Sequence, residues 1–172
     1  MTRTKRENEH YNLLRSVAAS ARTNLAVLNV SLSIECDSLF YWRCMKHLTP
    51  SEAHAFLLRH PEAIFVDCRS EIEYLFVGHP IGAIHIAWQD SPDWDVNPDF
   101  LGHARKASSV DRPVVLICRS GRRSLEAGRY LEKYGFPEVY NVQHGFEGDM
   151  DESRHRGTQN GWKFDDLPWE QT

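Results

Sequence analysis

The run Pro113-Val114-Val115-Leu116-Ile117 constrains the fold more than any other stretch of the chain. Unbroken apolar residues of this length read as a strand covered on both faces, as in a parallel sheet flanked by helices. The run stops at Cys118, and the segment Cys118-Arg119-Ser120-Gly121-Arg122-Arg123-Ser124 follows at once. From Arg122 or Ser124 to Tyr134 the pattern is helical. Leu125, Gly128 and Leu131 form its inner face, and Gly135 suits a left-handed stop.

Other elements fall into the same alternation. Thr49-Pro50-Ser51-Glu52 reads as a capping box with proline in the first turn. Ala53, Phe56 and Leu57 then share one face of a short helix that His60-Pro61 ends. Ile64-Phe65-Val66 is a buried strand, Gly78 to Gly82 a turn, and Ala83 to Ala87 another strand. Asn97 caps a helix with Phe100, Leu101 and Ala104 inward, and Val139 to Val142 is a further strand. Strands alternating with helices predict an α/β fold of three layers, a mainly parallel central sheet with helices on both faces. In such sheets ligands bind beyond the carboxyl ends of the strands, where Cys118 falls. The polar tail from Gly148 carries Trp162, Phe164, Leu167 and Trp169, which predict that it packs on the body.

With 172 residues the chain is long enough for one domain with a core. Its net charge of −4 argues against a polyanionic partner such as nucleic acid. No stretch is apolar enough to span a bilayer. Cys36, Cys44, Cys68 and Cys118 match no common zinc or disulfide spacing, and the nine histidines form no paired-ligand pattern. The expectation is therefore no metal, no cofactor and a reduced, cytoplasmic setting. Residues 1–40 read as an N-terminal extension ahead of a domain at 41–172. Their few acids and the basic Arg3, Lys5 and Arg6 leave a targeting segment as the alternative.

The chemistry lies in the loop that begins at Cys118. Backbone N–H groups in the turn and the first helical turn have no helical partners. Converging, they make an anion cradle at the positive end of the helix dipole. Gly121 permits the dihedrals that a turn this tight needs. A cysteine sulfur inside the cradle is held as thiolate. Arg119, Arg122 and Arg123 add charge and bidentate donors, and Ser120 and Ser124 add hydroxyls. Such a site suits nucleophilic attack on an anionic donor.

These residues resemble the active loop of rhodanese-type sulfurtransferases. Further motifs agree in order. Val66-Asp67-Cys68-Arg69 with Glu73-Tyr74, and Gly78-His79 with Ala83-Ile84-His85-Ile86, resemble family segments. So do Tyr140-Asn141-Val142 with Gly145-Phe146, and Gly161-Trp162 with Leu167-Pro168-Trp169. The match runs over about residues 45 to 172. The resemblance implies a rhodanese-like fold and a ping-pong cycle without an organic cofactor. Cys118 would take the outer sulfur of thiosulfate or a similar small anionic donor, becoming a persulfide. A nucleophile such as cyanide, a thiol or a protein acceptor would then remove it. Amides from Arg119 to Ser124 would stabilise the persulfide, and Arg122 and Arg123 would hold the departing anion. Asp67 would support the active loop, and Arg69 would tie its own loop to Glu73.

The sequence departs from the family pattern at Pro80-Ile81 and at Cys68, where an aliphatic residue is usual. Cys68 reads as a small core residue, with a resolving thiol for Cys118 as the alternative. A persulfide carrier that turns thiosulfate over poorly is a competing function. A phosphatase or arsenate reductase fits less well, because only four residues separate Cys118 from Arg123 and position 124 is serine. Trp88 and Trp94 read as cover for the sheet edge or core, with walls of the site as the alternative. His79, His85 and His144 read as structural hydrogen-bond formers, and Asp149 to Glu152 as a solvated acidic patch.

Overall fold

The computed structural model describes residues 45–108 and 111–171. The expected extension at 1–40 lies outside them, as do Cys36 and Cys44. The described elements are β1 (Lys46–Leu48), α1 (Pro50–Arg59), β2 (Ile64–Asp67), a π-helical turn (Glu73–Val77), β3 (His79–Pro80) and β4 (Ile84–His85). After them come α2 (Phe100–Ala107), β5 (Val114–Ile117), α3 (Arg122–Lys133), β6 (Val139–Val142) and β7 (Trp169–Glu170).

Five strands form one sheet in the order β1-β6-β5-β2-β4, with every neighbouring pair parallel. The central strand β5 is buried along its whole length, as its unbroken apolar run requires. Its side chains alternate between the two faces. Val114, Leu116 and Cys118 join Phe100 and Ala104 of α2 and Ala127 and Leu131 of α3 on one face. Val115 and Ile117 meet Ala53, Phe56 and Leu57 of α1 with Trp162 on the other. Each fully buried Val, Leu or Ile contributes about 1.5–3 kcal/mol relative to exposure. The α/β three-layer reading therefore holds.

Local chemistry explains the helix ends. The Thr49 hydroxyl accepts from Glu52 N–H, and the Glu52 carboxylate accepts from Thr49 N–H at 2.8 Å. Helix α3 starts after Gly121, which is left-handed at φ +88°, and no side chain caps it. Gly128 in α3 lets Met45 Sδ pack against the helix, and a Cβ there would force the Met45 side chain to shift.

Several local expectations are corrected. Residues 78–82 are not simply a turn, since His79–Pro80 pairs antiparallel with Trp169–Glu170. The expected strand at 83–87 shrinks to Ile84–His85. Asn97 does not occupy the cap position of α2, which is Asp99; the Asn97 side chain instead accepts from Asp99 N–H at 2.9 Å. In the tail, Trp162 is buried and donates to Pro168 O at 2.9 Å, but Phe164 stays exposed. No helix among the described residues is long and apolar enough to cross a membrane.

Candidate active site

Cys118 is the first residue beyond β5, and its backbone is held from behind. Its carbonyl accepts from Phe146 N–H at 2.8 Å, and the Arg119 carbonyl accepts from Glu147 N–H at 2.9 Å. Peptide planarity then turns the following N–H groups to the opposite side, toward the sulfur. This close approach needs glycine at 145 (φ +59°), because a Cβ there would collide with the Cys118 carbonyl oxygen.

The sulfur collects donors from the loop and from the first turn of α3. Gly121 N–H lies 3.2 Å from Cys118 Sγ and the Ser124 hydroxyl 3.3 Å. Burial alone would push the Cys118 thiol up. Hydrogen bonds from the Cys68 thiol, the Ser124 hydroxyl and the N–H groups of Ser124 and Ser120 outweigh it and bring its pKa from 9.0 to about 5. Cys118 is therefore a thiolate at neutral pH, the form that acts as nucleophile.

A cavity of about 320 Å³ opens over this sulfur. Cys118 and Ser120 line it together with Arg119, Arg122 and Arg123. The three guanidinium groups are not equivalent. Arg122 is largely exposed at the mouth, with Glu126 3.5 Å away. Arg119 is half exposed, 3.8 Å from Glu73. Arg123 is mostly buried and donates from Nη1 and Nη2 to the two Glu73 carboxylate oxygens, both at 2.7 Å. All three arginines line the cavity; Arg123 is the one held closely by a carboxylate, and Arg119 and Arg122 are the more exposed. Gly121 and Ser124 touch the sulfur from behind the cavity wall.

The supporting residues act through intermediates, and Asp67 bonds to Arg69 rather than to the active loop directly. Its carboxylate takes Arg69 Nη2 at 2.6 Å and Nε at 3.0 Å, and both side chains are fully buried. Arg69 meets Glu73 only at its carbonyl, at 3.5 Å. It donates to Gly78 O at 2.6 Å and lies over the Phe146 ring at 4.2 Å. Asp67 and Arg69 therefore brace the Phe146 segment, which in turn holds the Cys118 carbonyl. Glu73 is the residue that crosses to the active loop, through Arg123.

Trp94 and Gln89 line the cavity; for Trp94 this was the alternative reading, and Gln89 was not singled out from sequence. The tryptophan pair in the acidic loop was visible, but which ring faces the cavity depends on the loop path. Trp88 is buried against Phe100 and Tyr130 as expected, whereas Trp94 is half exposed with Arg123 5.9 Å from its ring centre. His79 bonds to Tyr74 O, His85 to Arg69 O and His144 to Asp149, and none of the three lines the cavity. The acidic stretch is partly structural rather than free, since Asp151 accepts from His155 N–H and from the Thr158 hydroxyl.

Comparison with known proteins places the chain in a family. The rhodanese-like domain family model matches residues 49–152. The thiosulfate sulfurtransferase GlpE of Pseudomonas fluorescens is 36% identical over 103 residues, covering 59% of this chain and 82% of that protein. GlpE of Stutzerimonas stutzeri is 34% identical over 102 residues, again covering 59% and 82%. The crystal structure of Rv0390 from M. tuberculosis superposes with a TM-score of 0.68 at 38% identity, covering 74% of this chain and 98% of that one. The chain belongs to the rhodanese-like domain family, the family of these thiosulfate sulfurtransferases.

Proposed function

We propose that the protein moves sulfane sulfur from thiosulfate, or a donor of the same chemistry, to a nucleophilic acceptor through a persulfide on Cys118. The observation that carries this reading is the Cys118 sulfur at the cavity floor. It faces backbone and hydroxyl donors, and its pKa is lowered to about 5. The Cys118 thiolate attacks the outer sulfur of thiosulfate. A sulfur–sulfur bond forms at Sγ, the bond within thiosulfate breaks, and sulfite leaves with the electron pair. Arg119 and Arg122 meet the donor and the departing sulfite at the mouth. Ser120 and the amides from Arg119 to Ser124 take up the charge on the persulfide. An acceptor thiolate or cyanide then attacks the outer sulfur, and Cys118 returns as thiolate. This is a ping-pong scheme on one sulfur atom. Asp67 and Arg69 support the loop from behind the cavity, and Glu73, which lines the cavity, holds Arg123 in place there. Burial of Cys118 beneath the loop favours a small donor over a bulky one.

A thiosulfate-to-cyanide assay with intact mass spectrometry tests the reading. Wild type should gain one sulfur from thiosulfate and form thiocyanate, and Cys118→Ser should do neither. Full turnover by Cys118→Ser would overturn the assignment.

A further inference from the structure

Cys68 stands directly beside Cys118. The ladder between β2 and β5 pairs Asp67 with Ile117, and Cys68 N–H continues it by donating to Ile117 O at 2.8 Å. The next residues in register are Cys68 and Cys118. Neighbouring strands lie about 4.8 Å apart, inside the Cα separation of roughly 4.4–6.8 Å that a disulfide accepts. Both side chains point to the same face of the sheet, into one cluster with Val66, Leu116 and Ala127. The Cys68 thiol donates at 3.2 Å to the carbonyl of Ile117, the residue just before Cys118, and neither cysteine is in a disulfide. Cys118 lines the cavity and Cys68 does not, so the Cys118 sulfur stands between substrate and Cys68.

We propose that Cys68 is a resolving nucleophile that converts a persulfide on Cys118 into hydrosulfide and a Cys68–Cys118 disulfide. This rests on the reading above that Cys118 carries the sulfane sulfur. The Cys68 sulfur attacks Sγ of Cys118 from the core side. The bond from Sγ to the outer sulfur breaks, and that sulfur leaves into the cavity with the electron pair and the Cys68 proton. The two cysteine sulfurs are oxidised to the disulfide, and the sulfane sulfur is reduced to sulfide, so the persulfide is itself the oxidant. External thiols of low molecular weight then reduce the disulfide by exchange and close the cycle. Burial holds the Cys68 thiol well above its ordinary range, so in the resting protein it keeps the proton that the leaving sulfur takes. Cys118 lines the cavity and Cys68 does not, which leaves the first step to Cys118.

The full chain, reduced and freed of thiol under nitrogen, is mixed with one equivalent of thiosulfate. Hydrosulfide, intact mass and peptide maps are followed for wild type, Cys68→Ser and Cys68→Ala. Wild type should first gain a sulfur, then yield a species two hydrogens lighter than the reduced chain, with hydrosulfide released and the peptides of Cys68 and Cys118 linked. Cys68→Ser, whose hydroxyl still donates, should take up the sulfur as wild type does, and Cys68→Ala more slowly because a donor to Cys118 is lost; both should then keep it, releasing hydrosulfide about tenfold more slowly. A wild-type persulfide that persists as long as in the variants would overturn the role of Cys68. So would a disulfide that maps to Cys36 or Cys44. Absence of any sulfur uptake in all three proteins would instead overturn the Cys118 persulfide, and the resolving step with it.

Discussion

Replacing Glu73 with glutamine removes the anion that positions Arg123 while keeping the side chain's shape. The Glu73 carboxylate accepts two bonds of 2.7 Å from Arg123, one of 3.0 Å from Ser70 N–H and one of 2.8 Å from the Ser70 hydroxyl. Burial pushes its pKa up, but these donors and the Arg123 charge outweigh burial and bring it from 4.5 down to about 2. At ~1.4 kcal/mol for each tenfold in proton affinity, the difference sets a ceiling of about 3 kcal/mol. The site opens onto the cavity, so solvent screening trims this to about 2 kcal/mol. Glu73→Gln also strands a mostly buried guanidinium, which costs further. The expected loss is about 2–3 kcal/mol at neutral pH, measured by urea unfolding followed by circular dichroism. A depressed carboxylate pKa places the contribution above pH 4.5, to be lost as pH falls toward 2. The deficit of the variant should therefore shrink as the medium is acidified below pH 4.5. A double variant with Arg123→Met, which removes the stranded charge, should cost less than the two single changes together. A Glu73→Gln protein within about 0.5 kcal/mol of wild type at neutral pH, or a deficit unchanged by acid, would refute the reasoning.

Two further outcomes follow from the loop geometry. Alkylation of Cys118 by iodoacetamide should rise with pH to a midpoint near its pKa of about 5, and Ser124→Ala should move that midpoint upward; a wild-type midpoint near the ordinary thiol value of 9.0 would refute the cradle. Gly145→Ala forces a Cβ onto the Cys118 carbonyl and a left-handed backbone onto alanine, the latter alone costing about 1–2 kcal/mol. Persulfide loading should fall more than the unfolding midpoint, and a variant that loads as wild type does would show that the Phe146 segment does not hold the loop.

Much of the site was legible because it is continuous in the chain. Cys118 to Ser124 is a strand end, a turn and a helix start, and each part carries its own local signal. The apolar run before Cys118, the left-handed Gly121 and the helix behind it needed nothing distant to be read. The capping box at Thr49 and the stop at Gly135 were legible for the same reason. The partners of Glu73, Arg69 and Asp67 were not. Two carboxylates and several arginines on neighbouring segments can pair in more than one way, and side-chain type alone ranks none of them. The choice was made when the π-helical turn carried Glu73 across to Arg123, leaving Asp67 to Arg69.

By itself the sequence determined the layered α/β architecture and the placing of Cys118 with its nearest donors in one loop, because these depend on spacing along one chain segment. Tertiary structure decided which arginine Glu73 holds most closely, that Trp94 rather than Trp88 lines the cavity, and that Cys68 and Cys118 come next in register on neighbouring strands. Those outcomes depend on sheet register and on loop paths joining residues far apart in the chain. Such contacts arise from packing the whole core at once, which no local pattern encodes.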